Sequence, residues 1–191
     1  MKLRNRCTVV VLLASLGAVA LAGPASAGPA KTIPANTWAT SICTVVNDWV
    51  SGYQPGKQQV STVLSGESVA PADAKSAVDA FFATGTTATK QAVKALKKAG
   101  APKAKAGPQI ANSLVTAFTT IQREVAKAKK KTAALDSNLA EYDTRAKAVI
   151  DGLDTNIGKA LAKFSAYGKK HSDKALTKIL DTNKACASTG T

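Results

Sequence analysis

Apolar positions recur at three- and four-residue steps along most of the chain, the spacing of one face of an α-helix. Trp38, Ile42, Val45, Val46, Trp49 and Tyr53 form the first stripe. Asn36 or Thr37 can cap this helix, which is expected to run to about Tyr53, where Pro55-Gly56 interrupts it. Val60, Val63 and Leu64 suggest one or two further turns before Gly66. The second stripe is Val78, Phe81 or Phe82, Gly85, Thr89, Val93 and Leu96, opened by Pro71, which suits a helix's first position. Its middle, Thr84 to Thr89, is built of weak helix formers, so a bend or local looseness is expected there.

Lys97-Lys98-Ala99-Gly100 makes a stop signal, and Ala101 to Gly107 reads as a Lys/Ala/Pro linker. A third stripe, Ile110, Leu114, Phe118, Ile121, Val125 and Ala128, ends near Lys129 to Lys131. The clearest stripe is the fourth: Leu139, Tyr142, Ala146, Val149, Leu153, Ile157, Ala160, Phe164 and Tyr167. Asp136-Ser137-Asn138 can cap it, and Asn138 with Glu141 has capping-box spacing. Gly168 breaks it, and Ser172 can cap a last short helix with Leu176, Ile179 and Leu180 inward. No strand-like alternation occurs. The pattern predicts an all-α fold, an up-and-down antiparallel bundle of about four helices plus a short C-terminal helix.

Lys2, Arg4 and Arg6 precede an apolar segment from Val9 to Leu21, and Ala25-Ser26-Ala27 supplies small residues for cleavage. These are the parts of a secretory signal peptide, expected at 1–27 and removed after Ala27. Its removal from 191 residues leaves 164, with 28–35 a flexible leader, 36–187 a single domain and 188–191 a disordered tail. Nothing after residue 27 is apolar for long enough to span a bilayer. Cys7 leaves with the leader, so Cys43 and Cys186 remain as an even pair in an exported chain, the setting for a structural disulfide. Closing so long a loop would stabilise the fold by roughly 4–5 kcal/mol in the chain-entropy model. The predicted localisation is secreted, extracellular or cell-wall associated.

The chain carries a net charge of +14, which becomes +11 once the three basic leader residues are gone. Two lysine-rich stretches stand out, Lys94, Lys97, Lys98, Lys103 and Lys105 around the linker, and Lys127, Lys129, Lys130 and Lys131 at a helix end. They point to an anionic partner, a cell-wall polymer, a lipid surface or a glycan. The alternative is lysines placed at helix ends by the helix dipole. No aromatic residues interleave with them, so base stacking is unsupported, and export makes nucleic acid an unsuitable physiological ligand.

Catalytic signals are missing. His171 is the sole histidine, read as a solvated residue of a basic turn, with no nucleophile at a usable spacing. Asp143, Asp151, Asp154 and Asn156 offer oxygen ligands but fit no calcium loop and read as an exposed helix face. No metal or cofactor is expected, and the aromatic residues read as core.

Trp38-x4-Cys43-x5-Trp49, Gly100-x-Pro102 with Gly107-x-x-Ile110, and the ending from Leu176 to Cys186 together resemble uncharacterised small secreted helical proteins of actinobacteria. The resemblance implies the paired cysteines and the helical fold, and it carries no catalytic residues. The expected role is a non-enzymatic interaction or structural protein at the bacterial cell envelope. Alternatives are an extracytoplasmic carrier of a small apolar ligand and a glycan-binding adhesin.

Overall fold

The computed structural model describes residues 31–66, 69–138 and 141–187. The expected signal peptide, the leader as far as residue 30, Leu139 and the tail at 188–191 lie outside these residues. Four long helices run up and down: α1 (Ala35–Leu64), α2 (Pro71–Lys98), α3 (Gly107–Ala133) and α4 (Tyr142–His171). Two short ones follow, α5 (Lys174–Thr182) and α6 (Lys184–Ala187). Consecutive long helices pack along their lengths, whereas α4 meets α1 much more sparsely. The all-α bundle is therefore as the periodicity predicts, and Cys43 and Cys186 form a disulfide between α1 and α6.

The core follows the stripes, except that on α4 Ile150 is buried where the stripe has Val149, and Val149 is only half-buried. Trp38, Phe81, Phe82 and Phe118 are fully buried, each worth about 1.5–3 kcal/mol in removed apolar surface. Trp49 stacks on Tyr53 at 5.2 Å between ring centroids and meets Phe118 edge-on at 5.3 Å, while Tyr53 meets Phe81 edge-on at 5.3 Å. This aromatic chain ties α1 to α2 and α3. Charges at the helix ends suit the dipoles, with Asp73 and Asp143 in the first turns of α2 and α4 and lysines in the last turns.

Two expected weak points are not breaks. α1 continues through Pro55 to Leu64, and α2 is unbroken from 84 to 89. The two segments pack against each other. A Cβ on Gly52 would lie 3.1 Å from that of Ala88, and one on Gly56 would lie 3.0 Å from the Thr84 hydroxyl. Glycines on one helix and small residues on the other let the axes come close. Packing on α2 then holds α1 helical across a proline whose ring faces solvent.

The stretches read as leader and linker are also ordered from Lys31 and Ala101 onward. Thr32–Ile33 (β1) and Ala101–Pro102 (β2) form a short parallel pair, fastened by Ala101 N–H to the Lys31 carbonyl at 3.0 Å and Lys103 N–H to the Ile33 carbonyl at 2.8 Å. Ala101 and Pro102 are buried. Gly100 has a φ of 72°, and any side chain there would strike the Lys31 carbonyl; one on Gly107 would overlap the Pro102 carbonyl. Two strands of two residues are too short to leave an alternation in sequence.

The caps also differ from expectation. α1 starts after Pro34 without a side-chain cap, because Asn36 is turned to the C-terminal segment. α4 begins only at Tyr142, and Asp136 closes a local turn onto the Asn138 amide at 2.9 Å. Asp173 rather than Ser172 caps α5, accepting from the Leu176 amide at 2.7 Å. α4 runs past Gly168 to His171.

Candidate functional site

The antiparallel arrangement gathers the N-terminus of α1, the C-terminus of α2, the N-terminus of α3 and the C-terminus of α4 at one end, with α5 and α6 beside them. This upper end comprises residues 31–49, 85–120 and 157–187. It carries fourteen lysines against three carboxylates, Asp48, Asp173 and Asp181. The described residues of the lower half carry nine basic side chains and eight carboxylates. The bundle's charge is thus polarised along its axis.

Pairing follows the same division. Lys57–Asp154, Lys75–Asp79, Lys127–Glu124, Arg145–Glu141 and Lys147–Asp151 are the ion pairs among the described residues, and all lie in the lower half. The Lys127 contact holds the Glu124 carboxyl below the usual carboxylate range. Among the described residues, no lysine of the upper end takes part in an ion pair.

The nine lysines singled out in the sequence are all exposed. Lys94, Lys97, Lys98, Lys103 and Lys105 belong to the upper end. Lys127, Lys129, Lys130 and Lys131 cap the other end of α3, about 36 Å from Lys105 at 1.5 Å per residue. The two groups therefore sit at opposite ends of the bundle. Sequence reasoning missed Lys169, Lys170, Lys174, Lys178 and Lys184, which topology places beside the first group. Their signal was the basic spacing after Gly168, passed over because it flanks His171. That histidine is the last residue of α4, half-buried, with its ring 4.2 Å from that of Tyr167. Asp151 and Asp154 are occupied by Lys147 and Lys57, and Asn156 donates to Glu124.

The upper end also contains a cavity of about 890 Å³, within the roughly 300–1,000 Å³ of small-molecule sites. It exists because α4 stops filling the core there. The buried residues of α4 end at Ala160, and Phe164 and Tyr167 are only half-buried. Trp38, Ile42 and Val46 of α1 form one wall, and Ile110 and Leu114 of α3 another. Phe164, Leu176, Leu180 and the disulfide complete it, and the exposed Lys169, Lys174 and Lys178 also line it.

A strap fixes the α5–α6 wall. The Asn183 side-chain amide donates to the Asn36 side-chain oxygen at 3.0 Å and the Thr40 hydroxyl at 2.9 Å, and Asn47 donates to the Ala185 carbonyl at 2.8 Å. With the Cys43–Cys186 bond these contacts use one stripe of α1, residues 36, 40, 43 and 47.

No protein-family model, characterised protein or solved structure matches the chain. Among the described residues, no helix is long and apolar enough to cross a membrane, and no group of three metal-ligating side chains converges.

Proposed function

We propose that this is a secreted, non-enzymatic protein of the bacterial cell envelope that binds an anionic surface or polymer through the upper end of its bundle. One observation carries the reading: fourteen lysines and three carboxylates share that end, while the ion pairs lie at the other. Unpaired lysines on a rigid bundle end present a positive field to polyanions. Each lysine near an anionic surface contributes about 1 kcal/mol. In the Lys127 to Lys131 group Lys127 is paired with Glu124, and the eight described carboxylates of the lower half offset the charge there, so this group contributes less to the contact.

The test is retention of the protein lacking residues 1–27 on anionic liposomes, purified cell wall and heparin across a salt gradient. Tight retention at low salt, lost steeply as salt rises, is expected. Glutamate at Lys94, Lys97, Lys98, Lys103 and Lys105 lowers affinity at least a hundredfold. Glutamate at Lys127, Lys129, Lys130 and Lys131 changes it much less. Absence of retention on all three materials, or equal effects of both variants, overturns the reading.

A further inference from the structure

We propose that the upper cavity binds a single-chain anionic amphiphile, its acyl chain against the apolar walls and its carboxylate or phosphate held by Lys169, Lys174 and Lys178. Three observations converge on this occupant. The walls are made by large apolar side chains, Trp38, Ile42, Leu114, Phe164 and Leu180 among them, so an apolar body is favoured over a sugar or nucleotide. The cavity has the volume of a small-molecule site. Its charged lining is three lysines and one carboxylate, Asp181, which favours an anionic head.

A second copy of the chain is a poor occupant, since it would bring its own excess of lysines to this end. A peptide segment would bring backbone amides and carbonyls, which the aliphatic and aromatic walls cannot satisfy. The strap makes the site preformed, because Asn183, Asn47 and the disulfide hold α5 and α6 to α1. Phe164, half-buried on the open side of α4, is the apolar surface an acyl chain would cover.

The proposal deepens the envelope-binding reading by naming one anion, and it rests on that reading for the charge of the head group. The experiment titrates the protein with decanoate, dodecanoate and tetradecanoate, with dodecanol, and with a lysophosphatidylglycerol, following tryptophan emission and, for every variant, calorimetry. Affinity is expected to rise by about fourfold per added methylene until the chain fills the cavity. Glutamine at Lys169, Lys174 and Lys178 weakens dodecanoate at least tenfold and leaves dodecanol unchanged. Stronger binding of the lysophospholipid than of the fatty acids identifies a phosphate head, and the reverse a carboxylate.

Gly168 lines the cavity and a Cβ there meets nothing within 4 Å, so Gly168→Trp adds an indole at the cavity wall without a clash at its Cβ and serves as a filling variant. It lowers amphiphile affinity at least tenfold and leaves salt-sensitive retention on cell wall and heparin intact. Ser165→Trp, on the same wall, serves as a second filling variant. Absence of chain-length dependence, or unchanged binding in both filled variants, overturns the cavity proposal while the basic end can still bind polymer. Dodecanoate binding without any retention on wall, heparin or liposomes overturns the envelope reading instead.

Discussion

The indole N–H of Trp49 donates to the Thr89 hydroxyl across 3.1 Å in the buried α1–α2 seam, and that hydroxyl donates to the Gly85 carbonyl at 2.7 Å. Thr89 is 0% exposed. Replacing it with valine keeps the shape and leaves the indole without an acceptor. Thr89→Val is expected to destabilise by about 1–3 kcal/mol, the cost of a buried unsatisfied donor. Thr89→Ser, which keeps the hydroxyl, costs less. Denaturant unfolding of both variants measures the difference; a larger loss in Thr89→Ser than in Thr89→Val would show that the methyl group matters more than the hydrogen bond.

Glycines separate into two groups whose alanine variants should move stability in opposite directions. A Cβ on Gly107 would overlap the Pro102 carbonyl, a backbone atom fixed by the β1–β2 pair. Gly107→Ala is expected to cost about 1–3 kcal/mol or more through overpacking. Gly152 and Gly158 lie within α4, and a Cβ at either meets nothing within 4 Å. Alanine there should stabilise by about 0.5–1 kcal/mol, by removing the entropic cost of glycine in a helix. Thermal unfolding of the three single variants tests the contrast.

These glycines also mark where sequence reasoning succeeded and where it stopped. The four stripes identified the core because helical burial leaves a three–four repeat in any one segment. The Pro55-Gly56 and Thr84 to Thr89 stretches misled because propensity is local. Pro55-Gly56 looks like a break by itself and Thr84 to Thr89 like a bent or loose stretch, and only their mutual contact shows them to be the close-packed seam. The linker misled for the same reason: Ala101 and Pro102 look flexible beside Lys103 and Lys105, yet Lys31 to Ile33 pair with them from seventy residues away. The lysines were legible one by one. Their concentration at one end was not, because it depends on which helix termini the topology brings together. The cavity left only a faint trace, the small residues Ser165 and Gly168 near Phe164.

The strap gives a further expectation. Replacing Cys43 and Cys186 with alanine removes a crosslink between residues 143 apart, a loss of roughly 4–5 kcal/mol in the chain-entropy model. Asn183 and Asn47 still tie α6 to α1, so the loosening should concentrate in α5 and α6. Hydrogen exchange is expected to show lost protection from 174 to 187 beyond that of α1 to α4. Adding Asn183→Ala, which removes the contacts to Asn36 and Thr40, should extend the loss. A uniform rise in exchange across the bundle would contradict a strap that acts locally.

Tyr53 sets an alkaline limit. Burial first, then the neighbouring Asp154 charge and the 3.4 Å hydrogen bond to that carboxylate, push its phenol far above the ordinary value near 10. Burial and Asp79 push Tyr142 upward as well. A folded-state value above the unfolded one favours the protonated phenol in the native state. That contribution is complete below pH 10 and is lost as pH rises beyond it, because the unfolded chain releases a proton that the native chain keeps. Each such tyrosine should lower stability by up to about 1.4 kcal/mol per pH unit above 10. Tyr53→Phe should cost at most about 1 kcal/mol at pH 7, since the lost bond is long, and should flatten the alkaline decline. Denaturant unfolding between pH 7 and 11.5, with phenolate absorbance followed in parallel, reads both quantities. An unchanged alkaline slope in the variant would mean that the Tyr53 phenol ionises without disturbing the α1–α4 contact.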